Sequence, residues 1–169
     1  MMKLLGSVLV ASAAAYLGFR AADRLRKRVR GLEELIGGLG LMEQEMELSA
    51  PELGEMMARL SQRTRGMARV LFSAFTRGLE GLDDGTPGQI WESCVATLEG
   101  LSPAGKSTLA PLGEILGRYD SREQRACIAA VRRRLETLRE EEAAQCREKC
   151  RACQTIGLSG GAFLIVLLL

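Results

Sequence analysis

The sequence predicts an all-α protein, an antiparallel bundle of about six helices set between N- and C-terminal transmembrane segments. Three observations predict it. Apolar residues recur at helical spacing throughout the middle of the chain, while Val, Ile and Thr are thinly spread and no alternating strand pattern occurs. Start signals divide that middle cleanly, because Ser49-x-x-Glu52, Thr86-Pro87-Gly88-Gln89 and Asp120-x-x-Glu123 each offer a capping side chain with an acid or amide three residues on. Finally, Met1 to Phe19 holds one charge, Lys3, and Ile156 to Leu169 holds none, whereas Arg20 to Cys153 is strongly charged.

The first element is the apolar stretch 1–19, long enough to cross the roughly 30 Å hydrocarbon layer as a helix. Arg20, Arg24, Arg26, Lys27, Arg28 and Arg30 crowd its exit, and Arg147, Lys149 and Arg151 precede the last segment. Basic residues beside a span resist translocation, so the middle is expected in the cytoplasm with both termini outside. The segment 156–169 has only 14 residues against the about 20 that a span needs, and bilayer thinning, snorkelling by Arg151 or helical neighbours must meet the shortfall. A cleaved export signal with Ala11-Ser12-Ala13 as its processing site is the rival for the first segment. Its weak positive start and the basic cluster right after the site argue against it.

Between the two lies one domain, residues 20–155. A helix is expected from about Arg20 to Glu47, then helices over roughly Pro51 to Thr64, Met67 to Leu82, Pro87 to Glu99, Pro103 to Leu116 and Ser121 to Cys153. Leu53, Met56, Met57 and Leu60 form one apolar stripe; Met67, Val70, Leu71 and Ala74 another; Ile128, Val131, Leu135 and Leu138 a third. Pro51 and Pro87 stand early in their helices, where a missing N–H costs little. Connectors such as Asp83-Asp84-Gly85 and Gly117-Arg118-Tyr119 are short, so neighbouring helices should pack antiparallel. Gly37, Gly38 and Gly40 interrupt the first helix, each at a cost of about 1 kcal/mol relative to Ala, and provide either close packing or a bend.

Composition excludes several functions. A formal charge of +2 gives no general pull towards nucleic acid, and one Trp, two Tyr and four Phe leave no stacking platform for bases. The absence of His removes Ser-His-Asp triads and His acid–base chemistry. Five cysteines in a chain placed in the cytosol are expected as reduced thiols.

Three motifs invite chemical readings. Gly100-Leu101-Ser102-Pro103-Ala104-Gly105-Lys106-Ser107 matches G-x-x-x-x-G-K-[ST] at every required position, which makes nucleotide binding the alternative function. That motif needs a strand before it and a parallel sheet around it, and Gln89 to Glu99 is amphipathic helix instead. An interhelical turn, with Gly100 ending one helix and Ser102 capping the next, is the simpler reading. Cys146, Cys150 and Cys153 share a helix face, so a metal or a juxtamembrane acyl chain is physically possible, but without a fourth ligand no metal or cofactor is expected. Ala14 and Gly18 in the first segment, with Gly157 and Gly161 in the last, line up small residues suited to helix packing in lipid.

Taken together, Arg28-Val29-Arg30-Gly31-Leu32, Leu41-x-Glu43-x-Glu45-Met46 before Pro51-x-Leu53, Trp91, the stretch Leu112-Gly113-x-x-Leu116-Gly117-x-x-Asp120-x-x-x-Gln124 and the terminal Gly157-Leu158-x-Gly160-Gly161 resemble the stage III sporulation protein AB family along the whole chain. These are membrane proteins of endospore-forming bacteria whose soluble part is similar to the F-type platform domain of type II secretion systems. The resemblance implies a non-enzymatic adaptor in the channel apparatus between mother cell and forespore, in the mother-cell membrane around the forespore. Its implied partners are a stage III sporulation protein AA-type ATPase, other channel membrane proteins and membrane lipid, with self-association left open. The candidate partner-binding residues are Leu116, Gly117, Asp120 and Gln124, with Arg26, Arg28 and Arg30 for contacts near the membrane.

Overall fold

In a computed structural model, the backbone is described for residues 2–48, 52–81, 85–116 and 121–168, and side chains for 20, 23–48, 52–81, 85–116 and 122–149. The described residues form seven helices and no strand: α1 Met2–Leu48, α2 Leu53–Arg63, α3 Gly66–Glu80, α4 Pro87–Thr97, α5 Pro103–Leu109, α6 Leu112–Ile115 and α7 Ser121–Leu168. The chain divides into two compact units, one of residues 1–27 with 141–169 and one of Arg28–Glu140.

Within Arg28–Glu140 the helices meet at close contacts. Gly38 of α1 lies against Ala68 and Phe72 of α3, Phe75 and Gly78 of α3 meet Trp91 and Ile90 of α4, and Gly88 of α4 meets Gly113 of α6. Along α7, Arg125, Arg132 and Arg139 reach Glu47, Glu43 and Glu33 of α1 in that order, so the two long helices are antiparallel. Their spacing of seven residues keeps the arginines on one edge of a heptad seam, whose apolar knobs are Leu32, Leu35, Leu39, Met42 and Met46 on α1 and Ile128, Val131 and Leu135 on α7.

Several boundaries differ from expectation, each for a local reason. The predicted helix Pro103 to Leu116 is divided into α5 and α6, because Pro111 has no N–H to donate to the carbonyl one turn back. α1 continues without interruption through Gly37, Gly38 and Gly40. Of these, Gly38 serves close packing, since a Cβ there would stand 2.9 Å from both Ala68 Cβ and Phe72 Cε2, while Gly37 faces open space. α2 begins at Leu53 with Glu52 before it and no side-chain cap; Pro51 and the expected cap Ser49 lie outside the described residues. The buried face of α3 is Ala68, Leu71, Phe72 and Phe75, with Val70 57% exposed, so this helix is rotated by about one residue from the predicted stripe. Two phenylalanines bury more apolar area than Val70 and Ala74 would, which sets that rotation.

Thr86 forms the predicted capping box: its Oγ1 accepts from the Gln89 amide, and Gln89 Oε1 accepts from the Thr86 amide at 3.0 Å. Trp91 is fully buried, stacks edge-on against Phe75 with ring centroids 5.4 Å apart, and donates from Nε1 to the Leu109 carbonyl at 2.9 Å. That bond satisfies the indole's single donor in a dry core.

Among the described residues no helix is long and apolar enough to cross a membrane. The expected spans 1–19 and 156–169, with Ala14, Gly18, Gly157 and Gly161, lie outside the residues whose side chains are described, as do Cys150 and Cys153.

Candidate partner-binding face

The sequence-predicted site falls on the corner where α6 hands over to α7. Leu116 is 2% exposed and its amide donates to the Leu112 carbonyl at 3.0 Å, so it closes α6 and packs inward. Gln124 is half-buried, and its Nε2 donates to the Ile115 carbonyl at 3.3 Å, tying the second turn of α7 to the end of α6. Gly117 and Asp120 lie outside the described residues. Leu116 and Gln124 therefore hold the corner from inside, and the side chains it presents are Glu114, Arg122 and Glu123, all exposed. Those three carried no sequence signal, being ordinary charged residues on helix surfaces.

A second fixing point is Gly88 against Gly113. A Cβ on Gly88 would lie 2.8 Å from the Gly113 carbonyl oxygen, and one on Gly113 would lie 3.0 Å from the Gly88 carbonyl oxygen and 3.1 Å from Trp91 Cδ1. Backbone meets backbone there, so the start of α4 and the whole of α6 are locked together.

The basic stretch is solvent-facing. Arg26, Arg28 and Arg30 are exposed; Arg30 pairs with Glu34 at 3.4 Å, and neighbouring Lys27 pairs with Asp23 at 2.9 Å, each one turn away on α1. Exposed i,i+4 pairs contribute about 0.3–0.5 kcal/mol, and Glu34, part-buried, also accepts from the Met67 amide.

The nucleotide-binding alternative has no structural support. The segment Gly100–Ser107 follows helix α4, Gly100 takes φ +83° as a helix-ending glycine, and Ser102 Oγ accepts from the Gly105 amide as a cap. Lys106 Nζ donates to the Ala96 carbonyl at 2.5 Å, across the turn, so the lysine that would reach a phosphate binds the preceding helix instead. Ser102 and Lys106 thus serve the α4–α5 turn, and Ser107 Oγ donates to the Ala104 carbonyl within α5.

No cluster of three or more metal-ligating residues occurs among the described residues. Burial raises the pKa of the Cys94 thiol, with Arg77 acting in the other direction, and burial raises that of Cys127, so neither is shifted towards the thiolate. Of the two buried charged residues among those described, Glu45, 7% exposed, is held by Arg63 and by Arg59 at 3.6 Å, whereas Glu142, 8% exposed, has an Oε2 with no hydrogen-bond partner; part-buried Arg132 bridges Glu43 and Glu136, both at 2.8 Å. The hydrogen bond to Glu43 raises the Arg132 pKa, against the smaller effect of burial.

Comparison with known proteins agrees with this architecture. A solved structure titled Stage III sporulation protein AB superposes with a TM-score of 0.63 at 22% identity, covering 72% of this chain and 97% of its own, which shows a shared helical fold. Stage III sporulation protein AB of Bacillus subtilis (strain 168) is 27% identical over 173 residues, covering 100% of both chains. The family description Stage III sporulation protein AB matches residues 3–169, and the chain belongs to that family.

Proposed function

We propose that the protein is a non-enzymatic platform of the sporulation channel between mother cell and forespore, anchored by its apolar ends and docking a secretion-type ATPase on its helical bundle. The observation that carries the reading is the α6–α7 corner, where Leu116 is buried, Gln124 bonds the Ile115 carbonyl, and Glu114, Arg122 and Glu123 are exposed. A charged surface of this kind suits recognition of a protein partner, because complementary charges steer encounter and fix register. Membership of the sporulation family over nearly the whole chain supports the setting, and the resemblance to F-type platform domains supports the adaptor role. In this reading the stretches 1–19 and 156–169 are the membrane anchors, the flanking arginines keep the bundle in the cytoplasm, and Arg26, Arg28 and Arg30 contact anionic lipid.

The test is binding of the purified stage III sporulation protein AA-type ATPase to the full-length chain in lipid nanodiscs. The ATPase should bind wild-type discs and not empty ones, and the double reversal Arg122→Glu with Glu123→Arg should weaken binding at least tenfold. No binding, or binding that ignores the reversal, contradicts the proposal.

A further inference from the structure

A groove of about 550 Å³ opens between the start of α2, the end of α3 and the start of α4. Its floor is Leu53, Ala58, Leu79 and Pro87, and its rim carries Glu52, Glu55 and Glu80. No lysine or arginine lines it among the described residues.

We infer that this groove is a docking site for a cationic segment of a protein partner, with lysine or arginine flanking an apolar side chain that enters between Leu53 and Leu79. Two features point to an occupant. Glu52 and Glu55 stand at the N-terminal end of α2, where a negative charge favours the helix, but Glu80 is the last residue of α3, where it opposes the helix dipole. Glu55 is paired with Arg59 at 3.4 Å, while Glu52 and Glu80 have no ion pair among the described residues, so a positive partner complements the rim. Gly54, in the first turn of α2, lines the groove, and a Cβ there would meet nothing within 4 Å. A glycine in a helix carries a cost of about 1 kcal/mol relative to alanine, and no neighbour in the fold requires this one. What its missing side chain does is keep the groove wide.

An apolar floor with a single-sign rim is the arrangement expected for an amphipathic segment, the floor supplying affinity and the rim selecting charge and speeding encounter. The site is separate from the α6–α7 corner and does not depend on the ATPase reading, so either can fail alone.

The experiment uses the full chain in neutral phosphatidylcholine nanodiscs and a fluorescent 12-residue peptide of alternating lysine pairs and leucines, with empty discs as the blank. The peptide should bind, its glutamate-for-lysine counterpart should not, and the triple variant E52Q/E55Q/E80Q should weaken binding at least tenfold. Gly54→Leu, which fills the groove and keeps every charge, should weaken it by a similar factor, whereas E140Q/E141Q, removing two exposed carboxylates elsewhere, should leave it unchanged. Equal weakening by E140Q/E141Q, binding indifferent to Gly54→Leu, or no binding overturns the inference. So does self-association of the chain that the triple variant abolishes, which would assign the groove to a second copy.

Discussion

The two ends of the Arg28–Glu140 bundle differ in what their acidic side chains do. At the end carrying the α2–α3 and α4–α5 turns, polar groups are turned inward. Glu34 Oε2 accepts from the Met67 amide at 2.7 Å, Thr64 Oγ1 donates to the Leu60 carbonyl at 2.7 Å, and Gly66 takes φ +54° beside the Glu34 carboxylate. Gly100, Ser102 and Lys106 do the same for the neighbouring turn. At the other end, the Thr86–Gln89 box and the Gln124 bond to the Ile115 carbonyl satisfy backbone groups, but Glu52, Glu55, Glu80, Glu114 and Glu123 are exposed and a groove opens. The comparison teaches that a chemical-looking motif is judged by where its hydrogen bonds go. The match Gly100–Ser107 lies at the self-satisfied end, and the candidate surfaces lie at the other.

Substitutions can break or sharpen this contrast. The largest effect should come from Trp91→Ala, which opens a cavity and orphans the Leu109 carbonyl; we expect a loss of about 3–5 kcal/mol in denaturant unfolding of the full chain in detergent. Gly113→Val drives a side chain into the Gly88 backbone and Trp91, and should cost about 1–3 kcal/mol while loosening the presented corner. Gly66→Ala, at the self-satisfied end, forces a Cβ into the left-handed region against Glu34 and should cost about 1–2 kcal/mol. Arg132→Ala removes ion pairs to Glu43 and Glu136 that are part-buried, and should cost about 1 kcal/mol, less in high salt. Lys106→Ala should be the mildest, about 0.5–1.5 kcal/mol for one hydrogen bond, with sporulation frequency unchanged. Loss of sporulation in Lys106→Ala with an intact fold would return the motif to function.

Local features were legible in the chain, and long-range ones were not. The cap at Thr86, the turn at Gly100–Pro103 and the stripe Met56, Met57 and Leu60 follow from residues within one or two turns of each other, and the structure has them. The break at Pro111 obeys an equally local rule, one that the overall apolar pattern of 103–116 hides. By contrast, the bond from Met67 to Glu34 joins positions 33 residues apart, and nothing near either residue announces it. Leu116 and Gln124 stood out in the sequence as site residues, yet one is core and the other a brace. The charged side chains they position, Glu114, Arg122 and Glu123, look like any solvated helix surface. Gly54 gave no signal either, because whether a helical glycine packs closely or leaves space is decided by a neighbouring helix.

The most direct test of the platform claim compares the two ends within sporulating cells. A photocrosslinking residue is placed at exposed Glu123, at the outward-facing end, or at exposed Arg65, in the α2–α3 turn, and captured proteins are identified by mass spectrometry. The account predicts that the stage III sporulation protein AA-type ATPase is captured from position 123 and not from position 65. Capture from position 65 alone, or from neither, would contradict it.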